Sequence, residues 1–280
     1  MSTNDAMNKQ SIGIDGLDQQ GQGGDQVCNK RFWMIANWKN QGTAQQLEQT
    51  LADLKGIDAS ALQLAMLLPA PLLALWPQHG LSNVYLGAQN IEARTDITLT
   101  GAYGVQMIKD RGCSLVCIGH SERRKYCLES EDDVVQQCCA TIKSGLTPLV
   151  CIGEDSAAQA DPVVERQLQY QLQSIFKAVS LAGVDSCDIM VAYEPMWAVG
   201  SQASASADLV EQRLEMLRHS INAFSQEYPR VRFSWCYGGS VNASNIRDLY
   251  CSAWVDGVLI GRASHDRRVL MEMIELCKPY

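Results

Sequence analysis

Positive charge is scarce in this chain. Lys and Arg number 23 against 31 Asp and Glu, for a formal net charge of −8. That balance argues against nucleic acid or an anionic membrane surface as a partner, so an anionic substrate needs a local field opposed to the global one. Long apolar runs are also missing. No stretch is long enough to span a bilayer, and the N-terminus has no apolar core of a secretory leader. No cysteines stand at C-x-x-C spacing, although there are eleven of them. They are scattered, and Cys117, Cys151 and Cys236 lie inside apolar strand-like runs. Buried free thiols in a reducing cytoplasm fit this usage better than disulfides or a metal site. Finally, no G-x-G-x-x-G follows an early strand, as a dinucleotide-binding open sheet would have it.

What is present is an ordinary globular balance, 46% hydrophobic and 19% charged over 280 residues. That length suits one large α/β barrel or two smaller domains. Residues 1–29 are rich in Gly, Gln, Asp, Asn and Ser and read as a flexible extension, with Ile12, Ile14 and Leu17 its only candidates for weak docking. Residues 30–280 repeat one rhythm. Apolar runs near 32–36, 63–68, 84–88, 114–118, 147–152, 188–193, 231–237 and 254–260 alternate with helix-like segments. Most runs are apolar throughout, as in parallel strands buried on both faces. The first helix-like segment is the clearest: Thr43 and Gln46 have capping-box spacing, Leu47, Leu51 and Leu54 share a face, and Gly56 ends it. The segment between the second and third runs is the weakest, being short and holding Pro71 and Pro77. Eight strands alternating with helices predict a single-domain (β/α)8 barrel, with a doubly wound open sheet as the alternative.

A barrel places chemistry where its strands end. Polar residues stand at those places: Asn37 and Lys39 after the first run, His120 after the fourth, Glu194 after the sixth, Gly238, Gly239 and Ser240 after the seventh, and Gly261 after the eighth. Asn37 and Lys39, two apart on a continuing strand, would point to one side, where an ammonium can neutralise a phosphate or oxyanion. A surface lysine beside a packing tryptophan is the plainer reading of the same residues. His120 precedes a predicted helix start, with Ser121 or a neighbour as cap. The positive helix terminus disfavours imidazolium, and Glu122 is placed to pair with Lys39 across the mouth. Glu194 ends an apolar run and is followed by Pro195 and Trp197. Shielding there raises a carboxylate toward the range of a general base, although a solvated strand end is the ordinary alternative. The glycines of the late loops suit a phosphate cradle, or simply tight turns.

Asn37-Trp38-Lys39, Gly119 to Arg124, Cys151-Ile152-Gly153-Glu154, Tyr193-Glu194-Pro195, Tyr237 to Val241 and Asp256 to Gly261, in this order and spacing, resemble the motifs of the triosephosphate isomerase family. The resemblance covers residues 30–280. It implies a cofactor-free, metal-free, cytoplasmic homodimer that interconverts dihydroxyacetone phosphate and glyceraldehyde 3-phosphate. It implies Glu194 as the base, neutral His120 as the electrophile and Lys39 as the nearby positive charge, with Asn37 orienting the substrate. Backbone amides of Gly200, Ser240 and Gly261, beside Gly238 and Gly239, would hold the phosphate. A lid from Pro195 to about Ala205 would be anchored open by Trp197 on Glu154 and held closed by Tyr237.

Four departures from the family pattern stand out. Arg262 replaces a second phosphate-binding glycine. The lid hinge reads Gln202-Ala203-Ser204-Ala205 without the usual lysine, and Asn40-Gln41 follows Lys39. Ala102 replaces a glutamate that pairs with the partner's arginine, so Arg123 is expected to lack that ion pair while Thr100 still reaches across. Arg262 keeps open a second reading, isomerisation of a tetrose phosphate. A non-catalytic scaffold is the third.

Overall fold

The apolar runs close on themselves. A computed structural model describes residues 31–57, 62–77, 81–94, 98–155, 161–199 and 204–278. The predicted extension over residues 1–29, with Ile12, Ile14 and Leu17, lies outside the described residues. Along the chain run β1 (Phe32–Asn37), α1 (Ala44–Lys55), β2 (Leu62–Leu68), α2 (Ala70–Leu73), β3 (Val84–Ala88), α3 (Val105–Asp110) and β4 (Cys113–Ile118). Then come α4 (Ser121–Tyr126), α5 (Glu131–Lys143), β5 (Thr147–Ile152), α6 (Asp161–Ala182), β6 (Cys187–Tyr193) and α7 (Ala207–Ser220). The chain ends with α8 (Asn222–Glu227), β7 (Val231–Tyr237), α9 (Ile246–Cys251), β8 (Gly257–Ile260), a 3₁₀ turn (Arg262–His265) and α10 (Arg267–Leu276). The strands form a closed barrel in chain order. Its seam is the parallel pairing of Trp33–Ala36 with Gly257–Ile260, and that pairing excludes an open sheet.

The uninterrupted apolar character of the strands now has a cause. Alternate residues face opposite sides of a sheet, and here both sides are buried. Trp33, Ile35, Ala65, Leu67, Leu115, Cys117, Leu149, Cys151 and Met190 fill the barrel interior. Their neighbours Phe32, Met34, Met66, Val116, Val150 and Val191 face the helices in a second, larger core. Helix α1 begins with the capping box read from Thr43 and Gln46, and buries Leu47, Leu51 and Leu54. The segment holding Pro71 yields only the single turn α2. The eighth strand is shorter than the run 254–260 predicts. Asp256 Oδ2 accepts the Trp235 amide at 2.8 Å and an Arg218 Nη2 hydrogen at 2.8 Å, so this residue buttresses β7 and the strand begins after it. No described helix is long and apolar enough to cross a membrane.

Candidate active site

A cavity of about 940 Å³ opens where the strands end. Asn37, Lys39, His120, Glu194, Gly238, Gly239, Ser240, Gly261 and Arg262 all line it. Gly200 lies outside the described residues. The barrel therefore brings to one place side chains that stand far apart in sequence.

Glu194 sits one residue past β6 and is buried, at 2% exposure. Its amide donates to Ile152 O at 2.7 Å, which carries the ladder one step beyond the strand. Two glycines make room for it. A Cβ on Gly153 would lie 2.0 Å from Glu194 O, and one on Gly238 would lie 3.1 Å from Glu194 Cγ. Gly153 is clasped by Gln171, whose Oε1 accepts the glycine amide at 2.8 Å and whose Nε2 donates to its carbonyl at 3.1 Å. The carboxylate takes two hydrogen bonds. Oε1 lies 2.9 Å from His120 Nε2, and Oε2 accepts the Ser121 amide at 3.0 Å.

His120, the neighbour of Ser121, is itself the N-cap of α4, within the expectation of Ser121 or a neighbour. Its Nδ1 accepts the Glu122 amide at 3.2 Å. In the neutral ring that contact selects the tautomer, because a ring nitrogen that accepts carries no hydrogen, which leaves the single N–H on Nε2. Two influences compete for the imidazole. Burial opposes its charge, but the Glu194 carboxylate at Nε2 outweighs burial and pushes the ring up to about 9. Burial likewise raises Glu194, and the neighbouring imidazole overrides it and lowers the carboxyl. The raised histidine value belongs to the direct contact between the two groups. Burial and the Glu122 amide at Nδ1 oppose the charged ring, and the carboxylate contact alone favours it strongly.

Lys39 reaches the cavity by a route other than the predicted one. β1 stops at Asn37, and Lys39 adopts a left-handed φ of 49°. A turn, and not strand alternation, brings both heads to one side, with the Lys39 amide donating to Asn37 Oδ1 at 3.1 Å. Lys39 Nζ meets Glu122 Oε1 at 2.5 Å, as its position across the mouth predicts. Gly238 departs from expectation in another way. Its amide donates to Tyr193 O at 2.8 Å and so is committed to the fold, and the residue serves the cavity by lacking a side chain beside Glu194. Arg262 lies at the exposed rim.

The two contacts expected of the open and closed lid are present together. Trp197 Nε1 and Tyr193 OH both donate to Glu154 Oε1, at 3.0 and 2.8 Å, while the Ala205 amide donates to Tyr237 OH at 3.2 Å. The contacts hold opposite ends of the segment, so they coexist. Arg123 pairs within its own chain, with Nε 2.5 Å from Glu129 Oε1. Three contributors escape a reading of the sequence: the Ser121 amide, the space above Gly153, and Gln171. Only Gln171 leaves a signal, a polar residue within the buried stripe of α6 beside Leu168, Leu172 and Ile175.

A parallel eight-stranded barrel with a buried carboxylate against an imidazole at its mouth defines a (β/α)8 enzyme of the acid–base kind. The triosephosphate isomerase family profile matches residues 32–277. A triosephosphate isomerase of Buchnera aphidicola subsp. Baizongia pistaciae is 31% identical over 257 residues, covering 89% of this chain and all of that protein. Those of Acidithiobacillus ferrooxidans and Paracidovorax citrulli are each 33% identical, covering 88% of this chain and 95% and 98% of theirs. The chain belongs to the triosephosphate isomerase family.

Proposed function

We propose that this protein interconverts dihydroxyacetone phosphate and D-glyceraldehyde 3-phosphate through an enediol(ate). The observation that carries the reading is the 2.9 Å contact of Glu194 Oε1 with His120 Nε2 at the mouth of the barrel. This is the established pairing of the family, a glutamate base with a neutral histidine. Substrate entering between the two groups takes over both of their free valences. The carboxylate, released from Nε2, faces a carbon-bound proton beside the carbonyl and removes it. The Nε2 hydrogen donates to the carbonyl oxygen and stabilises the charge that develops there. Lys39 adds positive charge, with its ammonium positioned by Glu122, and Asn37 orients the substrate. Amides of Gly200, Ser240 and Gly261 hold the phosphate beside Gly239. The lid excludes water while the enediolate exists, which suppresses loss of phosphate.

Residues 30–280 constitute the catalytic unit, with residues 1–29 an appendage outside it, and the protein works in the cytoplasm. All ten cysteines among the described residues are free, which suits that compartment. The unit acts as a homodimer. Glu129 Oε2 and Gln137 Oε1 are buried acceptors without a donor. They belong to residues lining a second cavity of about 540 Å³ beside Leu99 and Thr100. Leu99, Met107, Tyr126 and Leu128 are exposed large apolar side chains. A loop from a second copy, carrying donors and covering apolar surface, satisfies both needs.

Turnover of purified protein on the three-carbon and four-carbon aldose phosphates tests the reading. High activity on the triose supports it. Activity confined to the tetrose favours the second reading, for which the extra cation Arg262 at the rim is the supporting observation. Absence of activity on both would leave a scaffold. For the main reading, Arg262→Gly is expected to raise KM for the triose by no more than about fivefold, since an exposed ion pair contributes about 1 kcal/mol or less. Abolished triose turnover in that variant would show that the rim arginine is essential to the site.

A further inference from the structure

Beneath the mouth lie two thiols that the acid–base chemistry does not use. Cys117 and Cys151 point into the barrel from neighbouring strands, with sulfurs 3.8 Å apart and each residue 1% exposed. Cys117 also lines the active-site cavity, so one member of the pair borders space that a small molecule can enter, and Cys151 lies directly behind it.

We propose that Cys117 and Cys151 form a dithiol site for trivalent arsenic, taken up as arsenous acid and bridging the two sulfurs beneath the cavity. The geometry disfavours a disulfide. Cys117 is in register with Leu149, which places Cys151 two residues further along β5. With parallel strands about 4.8 Å apart and a rise of about 3.3 Å per residue, such neighbours have Cα atoms about 8 Å apart, and a disulfide needs about 7 Å or less with sulfurs at about 2.05 Å. One soft atom bound to both sulfurs needs no such approach. At about 2.3 Å from each, the length of a zinc–thiolate bond, a pyramidal centre with an angle of about 100° holds its sulfurs about 3.5 Å apart, close to the 3.8 Å found here.

Charge and ligand number select among soft atoms. Zinc in a structural site takes four ligands, and no group of three ligating side chains exists among the described residues. Arsenic(III) completes its third bond with its own hydroxyl. Contact with Cys117, together with burial, holds the Cys151 thiol well above its usual range, so a ligand that needs thiolates is penalised. The arsenic reaction needs none. Two As–O bonds break and two As–S bonds form, while the two thiol hydrogens leave with the hydroxyls as two waters. No electrons are transferred, and the product is neutral, as a buried site requires.

The test loads the full chain with sodium arsenite, removes the excess by gel filtration and counts arsenic per chain by elemental mass spectrometry. One arsenic per chain is expected for the wild type and none for Cys117→Ala or Cys151→Ala. In the wild type, peptide mapping is expected to find the peptides carrying Cys117 and Cys151 joined through arsenic, and this readout stands even if a variant fails to fold. Diamide oxidation is expected not to join them. Loading is expected to lower turnover about 100-fold, because displacing a catalytic group by about 1 Å has that effect. A small dithiol restores it, while arsenite is expected to leave the turnover of Cys117→Ala, measured against that variant's own untreated rate, unchanged. The arsenic count is independent of the isomerase reading, so failure of one leaves the other standing. Undiminished loading of Cys117→Ala, a bridge mapped to other cysteines, or no uptake by the wild type would overturn the proposal.

Discussion

Shortening Glu194 to aspartate is expected to lower kcat about 100-fold while KM stays nearly constant. The variant keeps the charge and withdraws it by one methylene, about 1.5 Å. Both anchors of the carboxylate, His120 Nε2 at 2.9 Å and the Ser121 amide at 3.0 Å, are set for the longer arm. The retracted group no longer reaches the substrate carbon in a near-attack geometry, while the amides proposed to hold the phosphate are untouched by the substitution. Glu194→Gln goes further, because the amide has the right length and cannot take a proton. A fall in kcat of about 10⁴-fold is expected, the upper range for a general base. Steady-state kinetics on the triose phosphate, with competition by inorganic phosphate as the check on binding, separates base from binding. Wild-type kcat in the aspartate variant would mean that another group takes the proton.

Gly153→Ala is expected to be the most damaging single-methyl addition near the site. The new Cβ meets Glu194 O at 2.0 Å and Glu194 C at 2.6 Å, both backbone atoms that cannot swing away. Overpacking of flexible side chains typically costs about 1–3 kcal/mol. Here the strands themselves must part, and the Gln171 clasp on both polar atoms of Gly153 resists that movement. A loss above about 3 kcal/mol in denaturant unfolding is therefore expected. Whatever protein folds should show kcat down about 100-fold, because the backbone carrying the base is displaced. A variant with unchanged stability and rate would show that the apparent collision relaxes freely.

Much of the fold was legible because buried parallel strands leave so plain a trace. Phe32–Asn37 and Thr147–Ile152 are apolar nearly throughout, since both faces of each strand meet a core. The start of β8 was not legible. Asp256 stands inside an apolar stretch and its backbone still bonds Trp33 and Trp235, yet the strand is counted only from Gly257, while the Asp256 side chain turns to Trp235 and Arg218. In the site, side chains such as His120 and Glu194 were found by their position after apolar runs. Contributions made through main-chain atoms and empty space were not. The Ser121 amide, the clearance over Gly153 and the committed amide of Gly238 depend on which strands become neighbours, and no local pattern records that. Lys39 falls between these cases. Its placement at the mouth was read correctly, but on an assumption of continuing strand geometry that its φ of 49° replaces.

That dihedral sets folding against function at one residue. A left-handed backbone costs an ordinary L-residue about 1–2 kcal/mol, which glycine avoids and asparagine partly avoids. A screen that rewards only heat resistance should therefore recover Gly or Asn at position 39 repeatedly, and each such winner would have surrendered the ammonium that faces the cavity. Thermal endurance is sacrificed at this spot to hold a cation at the mouth of the cavity.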